Sequence, residues 1–375
     1  MTNVFLLALM VAAASALAPF HIPAENRLKG RYIVVLEDGV DLDSFISRFQ
    51  QKVTVKTAVE RKFSTALNGF VLQADVAGRA LNLLRSLPGV KYIEEDEVIS
   101  IYSANYQPGS WGIDRIDQFN KELDDEMNLE GYGEGVHVYV IDTGINEEHE
   151  DFHGRASIKM DFIGGDGDDC NGHGTHCAGT VASSTFGVAN EAYVYGLRTL
   201  NCFGSGPKSS SIAALDWVAS SGERPAVVSM SLGGSYSEAQ NEAVTNTKNA
   251  GAVVVVAAGN SDTDACSSSP ASAPDAITVG STDSEDKRSY FSNYGQCVDL
   301  FAPGSDIVSL THNSNTGSTT LSGTSMACPH VSGIAAVLLG LGKSVSETYD
   351  TIKNGATNDV VEDPMDTPNK LAYCA

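Results

Sequence analysis

The chain has 375 residues, 42% of them hydrophobic and 19% charged, a balance that builds a sizeable core and excludes a disordered or fibrous chain. Its formal charge of −23 leaves no basic footprint for nucleic acid or an anionic membrane. No apolar run approaches the roughly 18 residues of a membrane span, and at roughly 150 residues per domain two or three globular units are expected.

Val4–Leu17 is apolar and is interrupted by the small-residue pattern Ala14-Ser15-Ala16. Residues 1–16 therefore read as a secretory signal peptide cut after Ala16, with the free amino terminus supplying the positive charge; a buried N-terminal helix is the alternative. Export places the protein outside the cell and makes disulfides permissible. Residues 17–103 carry eleven Lys/Arg and eleven Asp/Glu, residues 104–375 thirteen and thirty-six. The whole net charge lies in the second part, which marks two modules. In the first, Arg31–Leu36 reads as a strand and Leu42–Phe49 as a helix. Asn68–Leu72 follows as a strand, Ala77–Leu87 as an amphipathic helix and Lys91–Ile101 as a closing strand. The expectation is a small α+β, ferredoxin-like domain without catalytic groups. In the second module Val136–Ile141, Tyr193–Leu197, Val227–Met230, Ala252–Ala257 and Ala276–Val279 are short apolar runs, of the kind a parallel sheet buries on both faces. Helical stretches at Gly174–Ser183, Ser211–Ser220 and Glu238–Asn249 alternate with them. That predicts an α/β fold with a doubly wound parallel sheet.

Chemistry gathers where strands end. VYVIDTGI puts Asp142 at the stop of a buried strand, where open α/β sheets collect functional residues. NGHGTHCA sets His173 and His176 at a helix start. No HExxH or Cys/His cluster follows to complete a metal site. A histidine kept neutral by the helix dipole suits a general base, and two structural histidines are the alternative. VVVVAAGNS runs a strand into Asn260, either a turn residue or the side-chain donor of an oxyanion hole. LSGTSMACPHVSG puts Ser325 at the start of an apolar helix. By itself that is a cap; with a base and an orienting carboxylate beside it, it is a nucleophile.

VIDTGI, NGHGTHCAGT, MSLGG, AAGNS, SPASAP, FSNYG, FAPG and SGTSMACPH, spread over residues 139–330, together resemble the subtilisin-family serine proteases in their proteinase K and aqualysin branch. The resemblance implies a serine endopeptidase acting on proteins or peptides. It makes Asp142 the orienting acid, His173 the base, Ser325 the nucleophile and Asn260 the oxyanion donor. Gly204, Ser205 and Gly206 on one side, and Ser231, Leu232 and Gly233 on the other, would clamp an extended substrate. Ala257, Ala258 and Gly259 would wall the pocket before the scissile bond. Residues 17–103 resemble an inhibitory propeptide whose last strand, Tyr92–Ser103, feeds the cleft. Counting back from WGIDRID puts the maturation cut at Ser103–Ala104 and leaves 104–375 as a catalytic domain, monomeric by expectation.

The same resemblance pairs Cys170 with Cys202 and Cys266 with Cys297. Cys177 and Cys328 read as inert buried thiols, with a third bridge as the alternative; Cys374 is left over. Asp114, Asp117, Gln118 and Asp124 offer hard oxygen ligands at short spacing and resemble a structural calcium site, although Glu126 stands where relatives have Asn. The carbonyls of Pro274 and Ala276 with Asp299 resemble a second. Two rival readings are a catalytically silent binding protein and an α/β-hydrolase esterase. The latter requires Gly-x-Ser-x-Gly with its histidine last, whereas Ser325 lies in Gly-Thr-Ser-Met-Ala and comes last here.

Overall fold

The apolar runs of the second module lie side by side in the computed structural model, which describes residues 17–53, 57–74, 79–101, 104–105, 111–124 and 126–374. Residues 1–16, 102 and 103 lie outside them, and with them the expected signal segment and the two residues just before the expected cut. Nine strands form one sheet in the order Thr357–Asn358, Lys370–Leu371, Leu300–Pro303, Ile277–Thr282, Ala252–Ala257, Ala226–Met230, His137–Asp142, Tyr193–Arg198 and Ala156–Asp161. Every neighbouring pair is parallel except the outermost one, Thr357–Asn358 with Lys370–Leu371.

Because strand side chains alternate between faces, each valine run feeds two cores. Val138, Val140, Val227, Val253 and Val255 meet the helices His173–Ala182 and Thr324–Gly340. Tyr139, Ile141, Val228, Val254 and Val256 meet Lys208–Ser221 and Glu238–Asn249. From the central strand His137–Asp142 the chain goes out to Ala156–Asp161 and returns through Tyr193–Arg198. It then crosses to Ala226–Met230 on the other side. Strand order thus reverses around His137–Asp142, which opens a crevice at its carboxyl end.

The first module is an antiparallel sheet in the order Thr57–Phe63, Gly69–Ala74, Arg27–Leu36, Val90–Ile101, with helices Leu42–Lys52 and Arg79–Arg85 between strands. Asp41 starts the first helix by accepting the Ser44 N–H at 2.8 Å, a standard cap. Tyr32, Val34 and Leu36 face that helix through Phe45 and Phe49. Ile33, Val35, Val71 and Tyr92 instead join the core of Lys208–Ser221 and Glu238–Asn249. Each such side chain, once fully buried, contributes about 1.5–3 kcal/mol. The module is therefore seated on the catalytic-side helices by the back of its own sheet.

Its last strand runs on past the sheet. Val98, Ile99 and Ser100 pair antiparallel with Pro207, Gly206 and Ser205, while Ser100 and Ile101 pair with Gly233 and Leu232. The acidic run Glu94–Glu97 is buried, not solvated. Asp96 Oδ1 accepts the Ser209 N–H at 3.2 Å and Glu94 Oε2 the Ala239 N–H at 3.2 Å, so these carboxylates satisfy donors at two helix starts.

Candidate active site

His137–Asp142 ends on a carboxylate that is fully buried, and a buried carboxylate requires donors. Thr143 N–H donates to Asp142 Oδ1 at 2.7 Å, and His173 Nδ1 lies 2.8 Å from Oδ1 and 3.0 Å from Oδ2. With Nδ1–H given to the carboxylate, Nε2 is left as the acceptor. Gly174 permits this approach of helix to strand: a Cβ there would stand 2.1 Å from the Gly144 carbonyl and 3.2 Å from Asp142 Cβ. Asp169 ties the turn beneath. Its Oδ1 accepts from Thr143 Oγ1 and Gly172 N at 2.8 Å, its Oδ2 from Thr175 N at 2.9 Å and Thr175 Oγ1 at 2.6 Å. Sequence reasoning passed over Asp169, although an Asp shortly before a helix start is a capping signal.

The helix dipole was expected to lower the His173 pKa. The structure reverses the sign. Burial is the largest single influence and pushes the imidazole down, but the adjacent Asp142 carboxylate and Cys177 thiol together hold the pKa well above the ordinary histidine value. His176 is structural: its Nε2 lies 3.0 Å from the Ile307 carbonyl, and burial pushes its pKa down to about 3.

Ser325 is the second residue of Thr324–Gly340. Its hydroxyl donates to the Ser231 carbonyl at 3.0 Å. Its own carbonyl accepts from Ser231 Oγ at 2.9 Å and from Cys177 Sγ at 3.4 Å, one turn beyond His173. The two helices thus meet at this point. His173 Nε2 is buried with no hydrogen-bond partner among the described residues, so Ser325 is not bonded to it in this arrangement. Asn260 follows the strand Ala252–Ala257, and its Oδ1 accepts Thr324 N–H at 2.9 Å and Thr324 Oγ1 at 2.8 Å. Those bonds assign the amide's orientation, and its N–H groups remain available beside the helix start that carries Ser325. Thr324 Oγ1 also lies 3.0 Å from the Gly259 N–H, and Asn293 Nδ2 donates to the Ala258 carbonyl at 2.8 Å. Thr324 and Asn293 lie in the SGTSMACPH and FSNYG stretches, but sequence reasoning gave neither a role.

The structure joins Cys170 to Cys202 and Cys266 to Cys297, with Cα atoms 4.9 and 5.3 Å apart. Cys177, Cys328 and Cys374 are free and buried, so no third bridge forms. Burial raises the Cys328 thiol to about 12, which keeps it unreactive.

The two acidic sets differ. Asp117 Oδ2 accepts the Asn128 N–H at 2.6 Å, but its Oδ1 is buried without a hydrogen-bond partner. Burial, with Asp114 and Asp124 close by, raises its pKa. Like charges around an unanswered oxygen fit a hard cation. The Gln118 carbonyl also accepts from Arg115 Nη1 at 2.6 Å. In the second expected set, Asp299 Oδ1 is paired with Lys353 Nζ at 2.8 Å, and its Oδ2 accepts Thr278 N–H at 2.9 Å.

Residues 133–366 match the Subtilase family. An extracellular serine proteinase of Thermus sp. (strain Rt41A) is 42% identical, over 96% of this chain and 94% of that protein. A cuticle-degrading protease of Metarhizium anisopliae is 40% identical, over 95% of this chain and 92% of its own length. A solved cold-adapted subtilisin-like serine proteinase, 48% identical, superposes with a TM-score of 0.69 over 71% of this chain and 98% of that one.

Proposed function

From the premise that this chain belongs to the subtilase family and is a subtilisin-like serine endopeptidase, we propose that it is made as a secreted, self-processing zymogen working through Asp142, His173 and Ser325. The observation that carries this reading is the course of the chain through the crevice. Val98–Ile101 lies between the edges Ser205–Pro207 and Leu232–Ser235, and the chain is found again at Ala104–Asn105, paired with Ser322 and Leu321. Ser325 stands three residues beyond Ser322. A polypeptide bound as an extra strand on both sides of a serine is bound as a substrate.

In this mechanism Ser325 Oγ leaves the Ser231 carbonyl, attacks the peptide carbon and passes its proton to His173 Nε2. Asp142 holds the imidazole by Nδ1 and stabilises the imidazolium. Asn260 Nδ2 and the main-chain N–H groups at the start of the Ser325 helix donate to the oxyanion. Collapse breaks the C–N bond, and His173 returns the proton to the leaving amine. Water then attacks the acyl carbon and gives its proton to His173; collapse breaks the bond to Ser325 Oγ, to which His173 returns that proton, and the acid is released. Residues 17–103 are read as the inhibitory propeptide, 1–16 as the signal segment. Asp114, Asp117 and Asp124 are read as holders of one structural calcium ion, which supplies charge neutralisation and no chemistry.

Ser325→Ala tests the reading. It should accumulate as full precursor and lose on the order of 10⁶ in kcat on casein-type peptides, as a subtilisin-type nucleophile does. Wild-type secreted enzyme should begin near Ala104 on amino-terminal sequencing. Peptidase activity of the variant above about a thousandth of wild type would sink the nucleophile assignment.

A further inference from the structure

Among the described residues Lys208 is the one lysine with no exposed surface, and it sits at the wrong end of its helix. It opens Lys208–Ser221, directly after the cleft edge Ser205–Pro207. A cation in the first turn opposes the helix dipole, and a buried ammonium requires a counter-charge. Within residues 104–375 its described partner is a neutral one, the Ser235 carbonyl at 3.4 Å. Its counter-charges come from the acidic strand: Glu97 Oε1 at 2.6 Å and Glu94 Oε1 at 3.5 Å. The other oxygen of Glu97 accepts the Ser235 hydroxyl. Ser235 closes the opposite cleft edge, Leu232–Ser235. The pocket around Glu97 is therefore built from the ends of both substrate-binding edges. Gly234 leaves room for it, since a Cβ there would lie 2.9 Å from Glu97 Oε1.

We propose that Lys208 is a specificity-determining residue that selects an acidic side chain seven residues before the scissile bond. The count rests on the maturation reading above, in which Ser103–Ala104 is cut and Glu97 is the seventh residue back. Once residues 17–103 depart, the ammonium, the Ser235 hydroxyl and the gap over Gly234 remain at the far end of the cleft. A passing chain paired as Val98–Ile101 is paired would lay its next side chain there. The site takes a carboxylate, Glu by length. It is a local exception on a catalytic module that holds thirteen basic against thirty-six acidic residues and otherwise repels acidic substrates.

The test uses the mature wild-type enzyme and internally quenched peptides carrying residues 94–108, with positions 94–96 set to Gln. Position 97 is Glu, Gln or Lys. Glu should exceed Gln in kcat/KM by on the order of tenfold, mainly through KM, as a charge-assisted contact does. Lys should fall below Gln, and 0.5 M salt should narrow the spread, roughly as screening predicts. In Lys208→Met the Glu-to-Gln ratio should collapse towards one, and in Lys208→Glu it should invert. A ratio within about twofold for wild type at low salt, with cleavage at Ser103–Ala104, overturns this proposal and leaves the maturation reading standing. An unchanged ratio in Lys208→Met also overturns it. Should the enzyme cut at another bond, the maturation site falls. The subsite survives only if acid is then favoured seven residues before the new bond, and is refuted if it is not. The wild-type peptide series decides the matter even where a Lys208 variant fails to mature.

Discussion

At the scale of single residues, two assignments make sharp demands. Asn260 is held through its oxygen by Thr324, so only its amide N–H groups can meet substrate. They meet charge only when the oxyanion forms. Asn260→Ala should thus lower kcat by about 10²–10³ with KM nearly unchanged, and steady-state kinetics on one peptide checks it. A raised KM with kcat preserved would make Asn260 a binding residue instead. His173 makes a prediction in pH. Burial lowers its pKa, but with the first module in place Asp142 and Cys177 together raise it above the ordinary value. Below that pKa the imidazole carries its proton and is no base; above it, Nε2 is free to accept one. Self-cleavage of the precursor should therefore accelerate as pH rises through a value above the ordinary histidine range of about 6.5. Asp142→Asn should move that inflection down, besides slowing the reaction. Precursor processing timed across pH in both proteins reads this, and an inflection at or below the usual value in wild type would contradict the pairing.

At the scale of elements, the legible parts were those where local pattern and tertiary fate agree. Ala252–Ala257 and Glu238–Asn249 lie where their patterns put them, because a continuous valine run and a capped amphipathic segment keep their meaning in any context. Thr57–Phe63, Ala156–Asp161 and Leu300–Pro303 were not foreseen. The first two are half-buried edge strands with charged residues at alternate or central positions, and the third spans four residues and ends in proline. Sheet pairing, not composition, makes them strands. The acidic run Glu94–Glu97 lies in the expected closing strand, but its burial carried no sequence signal: Ser209, Ala239, Lys208 and Arg27 answer its four charges. The Asp-His pair was legible through its flanking glycines, whereas the sign of the His173 shift was not, since it depends on a partner 31 residues away. These contacts make the first module a ligand of the second. Residues 17–103 alone should inhibit mature enzyme competitively, and deleting Ile101–Ser103 should weaken inhibition, because Ile101 pairs with Leu232 and donates its N–H to the Gly204 carbonyl at 3.0 Å. Progress curves with the two fragments compare them. Equal inhibition by both would place the inhibitory contact elsewhere.

At the scale of the whole molecule, charge is unevenly carried. Residues 17–103 are neutral, while residues 104–375 hold thirteen basic against thirty-six acidic residues, the full −23 of the chain. Maturation as proposed would release a self-repelling anion, and the crowded carboxylates of Asp114, Asp117 and Asp124 concentrate that repulsion. Burial and its neighbours raise the Asp117 pKa in the folded chain without metal. A carboxylate with a raised folded pKa favours folding only while protonated, so its contribution is lost as pH rises through that value, and at neutral pH the empty cluster costs stability. A divalent cation held there as proposed would relieve that cost and bind the folded state alone. At about a hundred times its Kd such an ion adds about 2.7 kcal/mol, or roughly 5–10 °C in Tm for a catalytic part of this size. The neighbouring contacts of the cluster run through Arg115 to Asp286, paired at 2.8 Å, and not into the crevice holding His173 and Ser325. Chelation should therefore lower Tm by that amount while changing kcat/KM at 25 °C by less than about twofold. Asp117→Asn should remove most of the calcium dependence of Tm, since it replaces the cluster's buried oxygen that has no hydrogen-bond partner among the described residues. Calorimetry with and without chelator, on wild type and variant, measures both, and a wild-type Tm indifferent to chelation would remove the ion from this account.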